Sequence, residues 1–274
     1  MKTLLFRLGR AVLLAYLVLL LLVAGCQNSL LYHPRRGSEE DFLAEARKRN
    51  IMPWRDGAGR FIGWHRPNPR AANRLVVFHG NAGCALDRAY YIDMFSALAD
   101  GADWEVWIFE YPGYGPRRGS LGKTAFMEAG RLALKHLIAA DARPLFLLGE
   151  SIGSGPACAL AAEMPDRIAG LALVVPIARM QEVAQEKFPW LPVGLFLRDK
   201  FDNIAALAAY RGPIAFVVAE ADEVVGAPQG RKLHAAYGGP KLLIVLPGAG
   251  HNSFDIHPFA PWATTAGAFL RGRH

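Results

Sequence analysis

The chain has 274 residues, 52% of them apolar and 20% charged, with a formal net charge of +7. This composition excludes a disordered or low-complexity polymer and supplies enough apolar side chains for one sizeable core. Three of those positive charges are Lys2, Arg7 and Arg10, which leaves +4 for the rest, and no basic stripe interleaved with aromatics points to nucleic acid.

The first element is an unbroken apolar run of 14 residues, Ala11 to Ala24, behind that basic start. It is too short to span a bilayer comfortably as a helix. A basic start, a short apolar stretch and small residues at the end form a secretory signal, expected over residues 1–25. Its end, Leu22-Val23-Ala24-Gly25-Cys26, resembles a bacterial lipobox, in which the chain is cut before a cysteine that then carries lipid. Two lipid signals anchor a protein stably where one does not. The expectation is a lipid anchor on Cys26 in a bacterial envelope, and Gln27, where an Asp would retain the protein at the inner membrane, favours the outer one. Residues 26–59 read as a tether carrying a short polar helix, Glu39 to Asn50. Cys84 and Cys158 could pair in an oxidising compartment but make no disulfide framework. No Cys/His set has zinc-ligand spacing, so no metal is expected.

From residue 60 on, short apolar runs alternate with amphipathic ones. The strand-like runs are Arg60–Arg66, Leu75–Phe78, Glu105–Tyr111, Pro144–Leu148, Gly170–Val175, Pro213–Ala219 and Lys241–Leu246. Several are continuously apolar, as strands buried on both faces of a parallel sheet are. Helical stretches fall at Leu86–Ala99, Lys123–Ala140, Gly153–Met164, Pro228–Tyr237 and Phe259–Leu270. The pattern predicts one α/β domain over 60–274, a mostly parallel sheet with helices on both faces. The 37 residues from Pro176 to Gly212 are far longer than an ordinary connection. Their apolar segment, Phe188 to Phe196, must cover something, and a lid over about 177–212 is expected.

Gly149-Glu150-Ser151-Ile152-Gly153 fits G-x-S-x-G, after a strand and before a helix, which is the context that gives the motif its meaning. A serine on that sharp turn projects its hydroxyl above the sheet, and flanking glycines make room. The helix that follows points free N–H groups at developing negative charge, which makes the Ile152 N–H one oxyanion donor. His79-Gly80-Asn81-Ala82-Gly83 follows an earlier strand, and its turn can bring the Asn81 N–H to the same place. A phosphate loop is excluded by the missing Lys-Ser/Thr ending, and His79 reads as structural. The order Ser, acid, His then selects Asp222 after the strand ending at Ala219, with Glu220 in reserve and Glu223 facing solvent. His251, in the glycine-rich turn after the last strand, is the base, with His257 in reserve.

Taken together, His79 to Gly83, Glu110-Tyr111-Pro112-Gly113-Tyr114-Gly115, Gly149 to Gly155, Lys187 to Pro192 and Gly250-His251-Asn252 resemble the α/β-hydrolase branch that includes bud-emergence-type hydrolases and protein depalmitoylases. The family's Asp before Tyr-Pro-Gly-Tyr-Gly is Glu110 here, and Glu220 stands where a glycine often precedes the acid. The resemblance implies an eight-stranded sheet, the triad Ser151, Asp222 and His251, and hydrolysis of esters or thioesters without a cofactor. A peptidase on the same fold and a non-catalytic envelope scaffold are the rival expectations. Expected partners are an acyl substrate and a membrane. Substrate identity and oligomeric state are not written in these motifs.

Overall fold

The computed structural model describes residues 1–98 and 103–272, so Ala99, the expected end of one helix, and His274 lie outside the described residues. Eight strands form one sheet in the order β1-β2-β4-β3-β5-β6-β7-β8. They are β1 (Met52–Arg55), β2 (Phe61–His65), β3 (Asn73–Phe78), β4 (Trp104–Phe109), β5 (Leu145–Glu150), β6 (Ile168–Val174), β7 (Ile214–Ala219) and β8 (Lys241–Leu246). β1 pairs antiparallel with β2 and β2 antiparallel with β4, and the other five pairings are parallel. The strand β1 was not expected: it lies inside the stretch read as tether, and the sheet therefore begins before residue 60.

Eleven helices accompany the sheet among the described residues: α1 (Lys2–Gly25), α2 (Gln27–Leu31), α3 (Glu39–Arg47), α4 (Tyr90–Ser96), α5 (Lys123–Ala140), α6 (Ser154–Glu163), α7 (Met180–Lys187), α8 (Val193–Phe196), α9 (Asn203–Leu207), α10 (Ala227–Ala236) and α11 (Pro261–Leu270). The central strands are apolar on both faces because each face has its own core. In β3, Leu75 and Val77 join the core that holds Phe95 and Trp262, while Val76 and Phe78 join the one that holds Leu134 and Leu160. Strand alternation divides one apolar run between two layers.

From β3 the chain moves to β4 on one side, then returns past β3 to β5 on the other. Neighbouring strands whose connections leave in opposite directions open a crevice at their carboxyl ends. His79 to Gly83 leaves β3 there, and Ser151 leaves β5.

Two features of the N-terminus differ from expectation. The helix α1 runs 24 residues and is long and apolar enough to cross a membrane by length and composition. It continues back through Arg10, Arg7 and Lys2 because an isolated basic residue ends an apolar count without ending a helix. Residues 27–36 are no loose tether. Gln27 is buried, donates to the Phe196 carbonyl at 2.6 Å and accepts from the Arg198 N–H at 2.9 Å. Tyr32 donates to Asp199 at 2.6 Å. Pro34 and Arg36 form parallel bridges with Gly83 and Gly115.

The serine turn is wedged between β3 and β5. A Cβ on Gly153 would sit 2.0 Å from the Phe78 carbonyl oxygen, and one on Gly149 would sit 2.6 Å from the Ser154 Cα. Both obstacles are backbone and cannot swing aside. Gly153→Ala should therefore cost about 1–3 kcal/mol, as forced overpacking does, and lower the thermal midpoint by about 5 °C. A melting curve that superimposes on wild type would contradict this packing.

Candidate active site

Ser151 opens a single 3-10 turn, Ser151–Gly153, that leads into α6. Its φ is +53°, in the left-handed region, which L-residues occupy at a cost of about 1 kcal/mol or more. Packing on both sides of the turn holds it there. The Ser154 hydroxyl donates to the Ser151 carbonyl at 2.6 Å and accepts from the Ile177 N–H at 3.2 Å and from Asn203 Nδ2 at 3.1 Å. Asn203, at the start of α9, also donates to the Ile177 carbonyl at 2.8 Å. This buried amide ties the serine turn to the segment between β6 and β7, and nothing in the sequence pattern singled it out.

His251 arrives from the far edge of the sheet. Beyond β7 and β8 the two loops stay zipped together. The Glu220 N–H donates to the Leu246 carbonyl at 3.1 Å and the Ala221 N–H to the Ala249 carbonyl at 2.9 Å. That pairing sets Asp222 beside the turn carrying His251. His251 Nδ1 lies 2.8 Å from Asp222 Oδ2, and His251 Nε2 lies 2.9 Å from Ser151 Oγ. A carboxylate only accepts, so Nδ1 carries the proton and Nε2 offers its lone pair to the serine hydroxyl. The residues at 151, 222 and 251, distant in sequence, thus form one hydrogen-bonded chain, and its serine and histidine are buried.

Asp222 Oδ1 accepts the N–H groups of Val224 and Val225, each at 2.9 Å. Burial works to raise the Asp222 carboxyl. The hydrogen bond and charge of His251, with the backbone N–H groups of Val225 and Gly226, outweigh it and hold the group below the usual range. Glu220 and His257, the reserve acid and base, are both exposed. Glu223 is exposed but not idle, since its carboxylate accepts the His251 N–H at 3.2 Å.

Ser151, Ile152, Asn81 and His251 border one cavity of about 430 Å³. The Ile152 N–H belongs to the first turn of a helical segment, where N–H groups have no partner within the helix. The Asn81 side chain is engaged by the N-terminal segment and by Tyr114. Its Nδ2 donates to the Leu31 carbonyl, and its Oδ1 accepts from the His33 N–H at 3.3 Å and the Tyr114 hydroxyl at 3.1 Å. The N-terminal segment thus braces the loop that carries Asn81, and Leu30, Leu31 and His33 supply part of the cavity wall. A larger hollow of about 920 Å³ is lined by Arg55, Ser120 and His136, but there the serine and histidine form no hydrogen-bonded pair like that of Ser151 and His251.

Two further carboxylates are buried near the serine. Glu110 accepts the Ala85 N–H at 3.0 Å and lies 3.2 Å from His79 Nε2, so His79 is enclosed as a structural residue. Glu150, next to Ser151, accepts from Arg88 Nε at 3.1 Å and from the Tyr90 hydroxyl at 2.9 Å. Cys84 and Cys158 are buried and free, and Cys26 is exposed between α1 and α2. Burial pushes the Cys84 thiol up to about 12, which makes it a packing residue.

A family model of the alpha/beta hydrolase fold matches residues 73–209. An uncharacterised protein of Mycobacterium tuberculosis is 30% identical over 237 residues, covering 84% of this chain and 82% of its own length. The human alpha/beta hydrolase domain-containing protein 17B is 27% identical over 195 residues, 70% of this chain and 65% of its own. Among solved structures, the Pyrococcus furiosus esterase Pf2001 superimposes with a TM-score of 0.65 at 14% identity, over 88% of this chain and 97% of its own. That last likeness speaks to the fold.

The Arg88–Glu150 pair yields a stability prediction. Burial raises the Glu150 carboxyl, and Arg88, Tyr90 and Tyr91 more than offset this and hold it below the usual glutamate range. A depressed folded value means that the stabilisation is present above the unfolded value and is lost as pH falls through the folded one. Glu150→Gln leaves the Arg88 charge buried and unpaired, at a cost of about 3 kcal/mol near neutrality. In urea unfolding, the gap between wild type and variant should narrow as the pH drops below the glutamate range. A gap that stays constant down to pH 3 would contradict the assignment.

Proposed function

The chain belongs to the α/β-hydrolase family, and from that premise we propose that it is a serine hydrolase cleaving carboxylic esters or thioesters through an acyl-enzyme. The observation that carries this reading is the bonded chain from Asp222 through His251 to Ser151, at 2.8 and 2.9 Å. Each link has a chemical purpose. Ser151 Oγ attacks the acyl carbonyl carbon while His251 Nε2 takes its proton, and Asp222 holds the imidazole in the required tautomer and stabilises the imidazolium. The backbone N–H groups of Asn81 and Ile152 receive the oxyanion. A preorganised donor of this kind lowers the barrier by about 3 kcal/mol. As the tetrahedral species collapses, the leaving alcohol or thiol takes the proton from His251. Water then repeats the sequence against the acyl-serine and frees the acid and Ser151. The scheme is complete with the chain's own groups and calls for no metal or cofactor.

The cavity wall favours an acyl group over a peptide. Ile152, Ile177, Met180, Val183 and Val225 border it, and apolar walls of this kind take up hydrocarbon. The N-terminus supports an envelope location, with residues 1–25 as an export signal removed before Cys26 and lipid carried on that cysteine. If the organism is Gram-negative, Gln27 favours the outer membrane. Lipidation would be read directly as a mass shift that Cys26→Ser abolishes.

A fluorophosphonate probe should label the wild-type protein and fail on Ser151→Ala, and Asp222→Asn should lower kcat by about 10⁴-fold. p-Nitrophenyl acyl esters should turn over while aminoacyl p-nitroanilides do not. Unlabelled, inactive wild-type protein would overturn the enzymatic reading, and preference for the anilides would point to a peptidase on this fold.

A further inference from the structure

The lid presents apolar side chains to the outside as well as to the cavity. Leu195 is 81% exposed, Trp190 53% and Phe188 46%, and the Phe188 and Trp190 rings meet edge to face at 6.4 Å. Leu30 and Val224, also exposed, stand on the cavity wall itself. Lys187 at the end of α7 donates to the Glu223 carbonyl at 2.9 Å, which joins the lid to the loop of Asp222. Lys187 itself borders the cavity, and Phe188 and Trp190 follow it directly along the chain. Scattered apolar residues on a surface need no explanation, but exposed apolar residues running on from a cavity rim do.

The N-terminal helix names the occupant. The Tyr16 hydroxyl donates to the Trp190 carbonyl at 2.8 Å, Arg198 donates to the Ala24 carbonyl, and Leu20 is buried in the same core as Leu191, Val193 and Leu197. Tyr16 lies nine residues before Gly25, about 14 Å along the helix axis. A bilayer that takes up this half of α1 takes up Trp190 beside it. If α1 is cleaved before Cys26, Leu191, Val193 and Leu197 lose Leu20 as a core neighbour beside the already exposed residues, and the lipid on Cys26 enters only four residues before Leu30.

We infer that the lid face of Phe188, Trp190 and Leu195, with Leu30 and Val224 at the rim, seats in the hydrocarbon edge of a lipid bilayer, so that the Ser151 cavity opens toward acyl chains held in the membrane. Aromatic residues at such an edge place their rings at headgroup depth. Lys187, Arg198 and Lys200 accompany them, with Glu186, Asp199 and Glu223 offsetting that charge, so the seat rests on apolar contact more than on attraction to anionic headgroups. The substrate class follows, since a long-chain ester or thioester reaches the serine without leaving the bilayer. This inference rests on the esterase reading above.

The test uses the chain as the cell processes it, in phosphatidylethanolamine–phosphatidylglycerol vesicles. With brominated acyl chains in the lipid, part of the tryptophan emission should be quenched, and that part should vanish in Trp190→Phe. The other tryptophans among the described residues are buried or half-buried. In the kinetic arm, Trp190→Glu/Leu195→Glu should lower turnover of vesicle-held p-nitrophenyl palmitate about tenfold. Water-soluble p-nitrophenyl acetate should be turned over as before. Equal palmitate turnover in variant and wild type, or emission at Trp190 that bromine leaves untouched, would overturn the inference. Wild-type protein that fails to cleave even the acetate would instead overturn the esterase reading. Should the double variant lose both activities by misfolding, the quenching difference between wild type and Trp190→Phe still decides.

Discussion

The turn at Ser151 has no spare volume on either side, and the rest of the site is arranged around that fact. The Phe78 carbonyl at the end of β3 closes on Gly153 from one direction, and the chain's own Ser154 closes on Gly149 from the other. A backbone so confined cannot relax from the left-handed conformation at Ser151. The hydroxyl therefore has one direction to point, into the crevice where the connections from β3 and β5 diverge. His251 needs to reach only that one position, and the paired loops beyond β7 and β8 bring it there.

Three buried carboxylates surround this turn, and each is made tolerable by a different partner. Asp222 is held by the imidazole and by backbone N–H groups, Glu150 by a guanidinium, and Glu110 by the Ala85 N–H and the His79 ring. An unpaired carboxylate in such surroundings would take up a proton. The long side chain of Glu110 is accommodated by Gly115. A Cβ there would fall 2.2 Å from Glu110 Oε2, and its φ of +52° suits glycine. The two positions form one unit: the acid fits because its neighbour has no side chain.

What the sequence disclosed, and what it hid, divides along the range of the interactions. The parallel strands were readable because two-sided burial writes itself locally as an unbroken apolar run, as in Leu75 to Phe78. The serine turn was readable because its glycines and its flanking strand and helix are contiguous. β1 was not, since four residues containing Pro53 and Trp54 at a sheet edge carry almost no periodicity. The hold on residues 27–36 was invisible for another reason. It consists of single polar contacts to partners at positions 81–83, 113–115 and 196–199, and a lone Gln27 or Tyr32 looks the same whether it is solvated or captured. Asn203 and Arg88 were missed likewise, because a buried amide or guanidinium is recognised by its partners, which come from distant parts of the chain.

The capture of residues 27–36 bears on when in the chain's life the site comes into being. Those residues wall the cavity and brace the Asn81 loop, yet their partners emerge from the ribosome some 50 to 170 positions later. His251 comes later still. Loops this long close slowly and late, so a nascent chain would have a sheet and a serine turn but neither that wall nor His251. The hydrogen-bonded chain through Ser151 would thus come together only once synthesis has passed the last strand.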